Sequence, residues 1–123
     1  MPVKVVDASA LCALLFGEPQ AAMVASGLSG SALAAPALLP FEVANTCLMK
    51  RRRHPGSGEQ LLSGLDLFHR MPIDLVPVDV TATIRLAEAS GLTAYDASYL
   101  WLARRLGAEL VTLDRQLRDA SIR

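Results

Sequence analysis

Val3-Lys4-Val5-Val6 is a short β-branched run, and the chain passes straight from it through Asp7-Ala8-Ser9 into Ala10 to Phe16, an apolar stretch with helical spacing closed by Gly17. This strand-to-helix step recurs along the chain, and its recurrence limits the fold more than any other feature. Pro19 can start a second helix to about Leu28, and Ser31 to Ala35 reads as a weak strand. From Leu38 the pattern is helical through Glu42, Asn45 and Met49, and it stops at Arg53-His54-Pro55-Gly56 because a residue before proline avoids the α region. Ser57 to Arg70 is a further helix, ended by Pro72. Leu75-Val76-Pro77-Val78 reads as a strand whose internal proline argues for a sheet edge or an irregular end. Asp79 caps Val80 to Ser90, with Ile84 and Ala87 on its apolar face, and Thr93 to Leu106 is the clearest helix of the chain. Glu109 to Leu113 is a buried-type strand, and Asp114 opens a last short helix.

Such alternation predicts an α/β fold: a three-layer α/β/α arrangement around a short parallel sheet of four to five strands. No repeat, linker or low-complexity tract interrupts it, so residues 1–123 are expected to form a single domain. Apolar residues make up 52% of the chain, enough for one core in a domain that buries roughly two-thirds of its unfolded surface. The most apolar stretch outside the helices, Ala32 to Phe41, is short and cut by Pro36 and Pro40, so no membrane span is expected. Lys4 and Asp7 break any signal-peptide core, and Cys12 and Cys47 lack CxxC spacing, so free buried thiols and a cytoplasmic location are expected.

In an open parallel sheet the working crevice lies beyond the carboxyl ends of the strands. Two acids occupy such ends, Asp7 after Val6 and Asp114 after Leu113. Each also suits a helix N-cap. Glu42, the only charge between Pro19 and Lys50, and Asp96 stand among apolar neighbours in the early turns of two helices, where an acid can simply complement the macrodipole. Helix capping and dipole pairing account for each acid singly and leave their combination open. Carboxylates gathered at ~4 Å and an effective dielectric near 20 repel by about 4 kcal/mol per pair. Either protonation or a hard divalent cation must relieve that repulsion, and oxygen ligands without nearby Cys or His suit Mg²⁺ or Mn²⁺ better than zinc. Such an ion suits hydrolysis of a phosphate ester.

Val5 to Leu11, Pro40-Phe41-Glu42-Val43-Ala44-Asn45, Leu92 to Tyr99 and Leu110 to Asp114 together resemble, in order and spacing, the PIN-domain ribonucleases of the VapC toxin family. The resemblance implies that Asp7, Glu42, Asp96 and Asp114 are that family's acidic quartet. It would hold one or two Mg²⁺ ions, with Mn²⁺ able to substitute, and would cut single-stranded RNA through metal-activated water. Ser9 and Thr112 match hydroxyl positions beside the quartet, and Asn45 follows Glu42 by one turn on the same face, so these three would orient the acids. The resemblance further implies an RNA substrate such as a transfer RNA or a ribosomal RNA loop. It also implies a homodimer and a VapB-type antitoxin that joins it in a heterotetramer or larger assembly. The sequence given ends at Arg123, soon after Asp114, so the family's closing strand is expected to be short or absent.

The remaining polar and aromatic residues discriminate less. Lys50-Arg51-Arg52-Arg53 complements a helix C-terminus and is also placed to meet phosphate. Tyr95, Tyr99 and Trp101 could stack on bases, but aromatics on an apolar helix are more often core, so they are expected in the core or at a dimer contact rather than in the site. His54 and His69 lie apart in the pattern, which argues against histidine-based cleavage through a 2′-hydroxyl. Twelve basic residues balance twelve acidic ones, yet setting the quartet aside leaves eight acids against twelve bases. Neutral composition therefore leaves room for a polyanionic partner.

Overall fold

The structure is a computed structural model that describes residues 1–123. β1 (Val3–Val6) leads into α1 (Ala8–Leu15), where Asp7 is the N-cap and accepts the Ala10 N–H at 2.9 Å. Gly17, at φ +66°, turns the chain sharply after α1, and α2 (Ala21–Leu28) follows. β2 (Ala32–Pro36) then enters α3 (Leu39–Arg53), a 3-10 turn at Pro55–Ser57, and α4 (Gly58–Arg70). β3 (Ile73–Val76), α5 (Val80–Ser90), α6 (Ala94–Leu106), β4 (Glu109–Val111) and α7 (Arg115–Ser121) complete the order.

All strand pairs are parallel, in the order β3-β2-β1-β4, with Val5 opposite both Ala34 and Leu110. The chain moves outward from β1 through β2 to β3, then crosses back to the far side of β1 to lay down β4. Right-handed crossovers place helices of the two directions on opposite faces. α1 packs against α2, α3 and α4, whereas α6 packs on β1, β2 and β4 and against α5 and α7. The three-layer architecture and the four-strand count are as the pattern predicts. Reversal of winding between β1 and β4 creates the switch point at which open α/β sheets place their crevice.

The core closes from both faces: Leu11, Leu39 and Val43 from one helical layer, Leu100, Leu102 and Leu117 from the other, and Val5 and Val6 between them, all fully buried. Each such side chain contributes roughly 1.5–3 kcal/mol relative to exposure. α4 docks most tightly at Gly64, where an added Cβ would meet the Leu15 carbonyl oxygen and the Phe16 ring at 2.6 Å. Both cysteines are buried and free, and burial pushes the Cys12 thiol up to about 11. No helix is long and apolar enough to cross a membrane.

Three local expectations need correction. β3 starts earlier, at Ile73, and ends at Val76, because Pro77 cannot donate to the ladder; it is an edge strand, as its proline indicates. β4 stops at Val111, since the Thr112 hydroxyl and the Leu113 and Asp114 N–H groups turn to side-chain partners. Ile84 is exposed; α5 buries Thr83 and half-buries Leu86 and Ala87 instead.

Candidate active site

The carboxyl ends of β1 and β4 are tied together through two hydroxyls. Asp7 is 3% exposed, and both its oxygens are engaged. Oδ1 accepts the Ala10 N–H and lies 2.8 Å from Ser9 Oγ, while Oδ2 accepts the Thr112 hydroxyl at 2.5 Å. The same hydroxyls accept backbone N–H groups from the turn that follows β4. Leu113 donates to Ser9 Oγ and Asp114 to Thr112 Oγ1, each at 3.0 Å. Asp114 then caps α7 by accepting the Leu117 N–H at 2.8 Å. Asp7 and Asp114 are thus helix caps, and both also face the crevice.

Glu42 and Asp96 reach the crevice from the first turns of α3 and α6. Thr93 fixes the start of α6 by accepting the Asp96 N–H at 3.1 Å. One turn beyond Asp96, the buried Tyr99 donates its hydroxyl to Glu42 Oε1 at 2.6 Å. A single cavity of about 850 Å³ is lined by Asp7, Glu42, Asp96 and Asp114, and also by Glu18, Ser9, Asn45 and Lys50. Thr112 stands behind it, bonded to Asp7. Asn45 is exposed on the cavity wall one turn after Glu42.

Electrostatics link the acids. Burial raises Asp7 above the ordinary carboxylate range against the pull of its three hydrogen-bond donors, and the charge of Asp96 adds to the rise. Burial also raises Glu42, opposed by the Tyr99 hydroxyl and reinforced by Asp96 and Asp7. Asp96 is raised first by burial and then by the charge of Asp114. The Tyr99 phenol is pushed well up by burial and by its carboxylate partner, so it stays a donor.

Four cavity residues escape sequence reasoning: Tyr99, Lys50, Glu18 and Tyr95, the last expected in the core or at a dimer contact but exposed on the cavity wall. Tyr99 was expected in the core or at a dimer contact; it is buried, yet its polar tip holds Glu42. Its spacing of i+3 from Asp96 was the available signal. Lys50 was grouped with the basic run at the end of α3, but its ammonium pairs with Glu18 inside the cavity, and Arg51 to Arg53 remain exposed. Glu42, Thr46 and Lys50 form one i, i+4, i+8 row, which was legible; the Glu18 partner, 32 residues away, was not. His54 and His69 are exposed and do not line the cavity.

The pattern that defines the PIN domain matches residues 4–122. The chain belongs to the PIN-domain family. Among PIN-domain relatives, it is 32% identical to ribonuclease VapC3 of Pyrobaculum aerophilum over 94% of this chain and 92% of that one. It is 34% identical to ribonuclease VapC9 of Mycobacterium tuberculosis, over 94% of this chain and 88% of that protein. The crystal structure of PAE2754 from Pyrobaculum aerophilum superposes with a TM-score of 0.71 at 26% identity, covering 98% of this chain and 85% of that one.

A divalent cation suits the chemistry of this PIN-domain cavity. The four acids supply oxygen donors only, three of them are held above their usual range partly by one another's charge, and a hard cation would relieve that. Hydrogen bonds occupy one oxygen each of Glu42 and Asp114, both of which line the cavity, leaving the other without a protein donor. No three of the chain's His, Cys, Asp and Glu side chains form a ready-made metal cluster, so the acids would have to draw together around an ion.

Proposed function

We propose that this protein is a VapC-type toxin, an endoribonuclease that hydrolyses RNA phosphodiesters with Mg²⁺, or Mn²⁺ in its place, held by Asp7, Glu42, Asp96 and Asp114. The observation that carries the reading is that four acids from four separate elements line one cavity at the switch point of the sheet. Such an ion would acidify a water and offset charge on a phosphate. The chain's own residues supply the rest. Thr112 and Ser9 fix the direction of the Asp7 carboxylate, and Tyr99 fixes that of Glu42. Asn45, on the cavity wall, is available to a substrate or a water.

We take residues 1–123 as one PIN-like domain. The names of its relatives, VapC ribonucleases, support RNA as substrate and an antitoxin of the VapB type as partner; a transfer or ribosomal RNA loop and a cytoplasmic location complete the proposal from the family resemblance alone. Exposed Val80 and Ile84 on α5 favour a homodimer, which the antitoxin would build into a heterotetramer or larger assembly.

Asp96→Asn is the decisive variant, because the Asp96 side chain neither caps a helix nor accepts the hydroxyls that hold Asp7. Loss of RNA cleavage and of growth inhibition, with unchanged thermal melting, is expected; full activity in this variant or in excess EDTA overturns the reading. A non-catalytic binding module is the competing reading, favoured by the capping roles of Asp7 and Asp114. Calorimetric titration with Mn²⁺ separates the two, since a module whose acids serve only as caps takes up no ion.

A further inference from the structure

Phe41 and Tyr95 are large aromatic side chains that the fold leaves open, 78% and 66% exposed. Each immediately precedes an acid of the cavity, Phe41 before Glu42 and Tyr95 before Asp96, and each lines that same cavity. They stand in the first turns of α3 and α6, so the two rings mark the two helical sides of the crevice. Tyr99, one turn beyond Tyr95, is fully used by the core and Glu42, whereas no hydrogen bond engages the Tyr95 hydroxyl and no ring packs on Phe41. The cavity holds one cation, Lys50, against five carboxylates. An ammonium has three donors, and Glu18 accepts one of them.

Flat exposed rings beside a lone lysine suit a strand that offers π-faces and phosphates together. Every nucleobase can stack on an aromatic ring, but only when it is free of a duplex. A protein partner would be drawn to apolar area, but five acids in the same cavity disfavour an apolar contact there.

Resting on the ribonuclease reading above, we propose that Phe41 and Tyr95 are base-stacking residues that grip two unpaired nucleotides of the substrate, and that Lys50, positioned by Glu18, holds a phosphate of the same strand. The substrate segment is therefore an unpaired polynucleotide with its bases turned outward, and duplex is rejected at the rim before chemistry.

The test uses the full chain in Ca²⁺ with a fluorescein-labelled single-stranded oligoribonucleotide and the same strand annealed to its complement. Affinity is read by anisotropy as Kd, or as KM where a gel shows the strand to be cut. Phe41→Ala and Tyr95→Ala should each weaken single-strand binding by roughly fivefold to a hundredfold. Phe41→Tyr and Tyr95→Phe should restore it, and the melting temperature should not move, since both rings are exposed. Lys50→Gln should lower the salt slope of binding by about 0.7.

The proposal is overturned if both alanine variants bind the single strand as the wild type does, if they lose duplex binding equally, or if the wild type binds no single strand. It is also overturned if they bind normally but change the mass of the assembly, which would assign the rings to a protein contact. Cleavage that survives Asp96→Asn would defeat the nuclease reading and leave the stacking result standing on its own.

Discussion

The cavity has two unlike halves. Asp7 and Asp114 leave the ends of β1 and β4 and are held by backbone N–H groups and by the Ser9 and Thr112 hydroxyls, which bond to backbone in their turn. Glu42 and Asp96 stand on helix first turns, and the only side-chain bond between their two helices is the one from Tyr99 to Glu42. The strand half is fixed by two helix caps and by the hydroxyl bridge between Asp7 and the turn after β4, whereas the helix half has a single side-chain bond. A site made this way has two rigid acids and two adjustable ones, which suits acids that must draw together to share an ion.

Activity offers the largest contrast. Glu42→Gln and Asp96→Asn should each reduce RNA cleavage by on the order of a hundredfold or more without lowering the melting temperature. Asp7→Asn should do both, because it also alters a buried cap. Equal effects on stability from all three would break the distinction. Cation binding comes next. At a concentration 100 times the dissociation constant, Mg²⁺ or Mn²⁺ should stabilise the wild type by about 2.7 kcal/mol in denaturant titrations, and Asp96→Asn should remove most of that gain.

Titration of the metal-free protein should follow the sign of the shifts. Asp7, Glu42 and Asp96 are raised on folding, so the folded state prefers their protonated forms. Their contribution is fully present below the ordinary values of 3.8 and 4.5 and is lost as pH rises through the raised ones. Stability measured in EDTA should therefore fall across that window, and added cation should flatten the fall; a rise in EDTA would contradict the assignment.

Smaller effects separate the hydroxyls. Thr112→Val leaves the Asp114 N–H without its partner and Asp7 Oδ2 with Ser9 Oγ alone beside it, and should cost about 1–3 kcal/mol. Tyr99→Phe removes one bond from a half-buried acid and should cost about 1 kcal/mol, while moving Glu42 further upward because its one opposing donor is gone. Thermal melting of the pair sharpens the contrast if the threonine loss is the greater, and ends it if the order reverses.

Much of this arrangement was legible in the sequence. Val3–Val6 running into Asp7, and a helix opened by Thr93 with Asp96 in its first turn, follow from local pattern and capping chemistry, and both stand in the structure. The ends of β3 and β4 were less legible, because a strand stops where its ladder loses a partner, and that depends on Pro77 and on Thr112 meeting Asp7 across 105 residues. Lys50 and Tyr99 escaped for the same reason. Each looks like a surface cation or a core aromatic until Glu18, 32 residues distant, or Glu42, 57 residues distant, is brought against it.

Ser9 and Thr112 give the strand half a fixed polarity. Each hydroxyl sends its single hydrogen toward Asp7 and spends a lone pair on a main-chain N–H, so hydrogen flows one way, from the turn after β4 through the hydroxyls into the carboxylate. That current favours the ionised carboxylate and opposes, without overcoming, the upward push that burial gives Asp7. An asparagine there would turn its amide NH₂ toward a hydroxyl that now donates to Asp7, so that hydroxyl would have to reorient. Of the four acids, Asp7 is thus the one ringed by donors, and the turn that carries Asp114 inherits its place from that wiring.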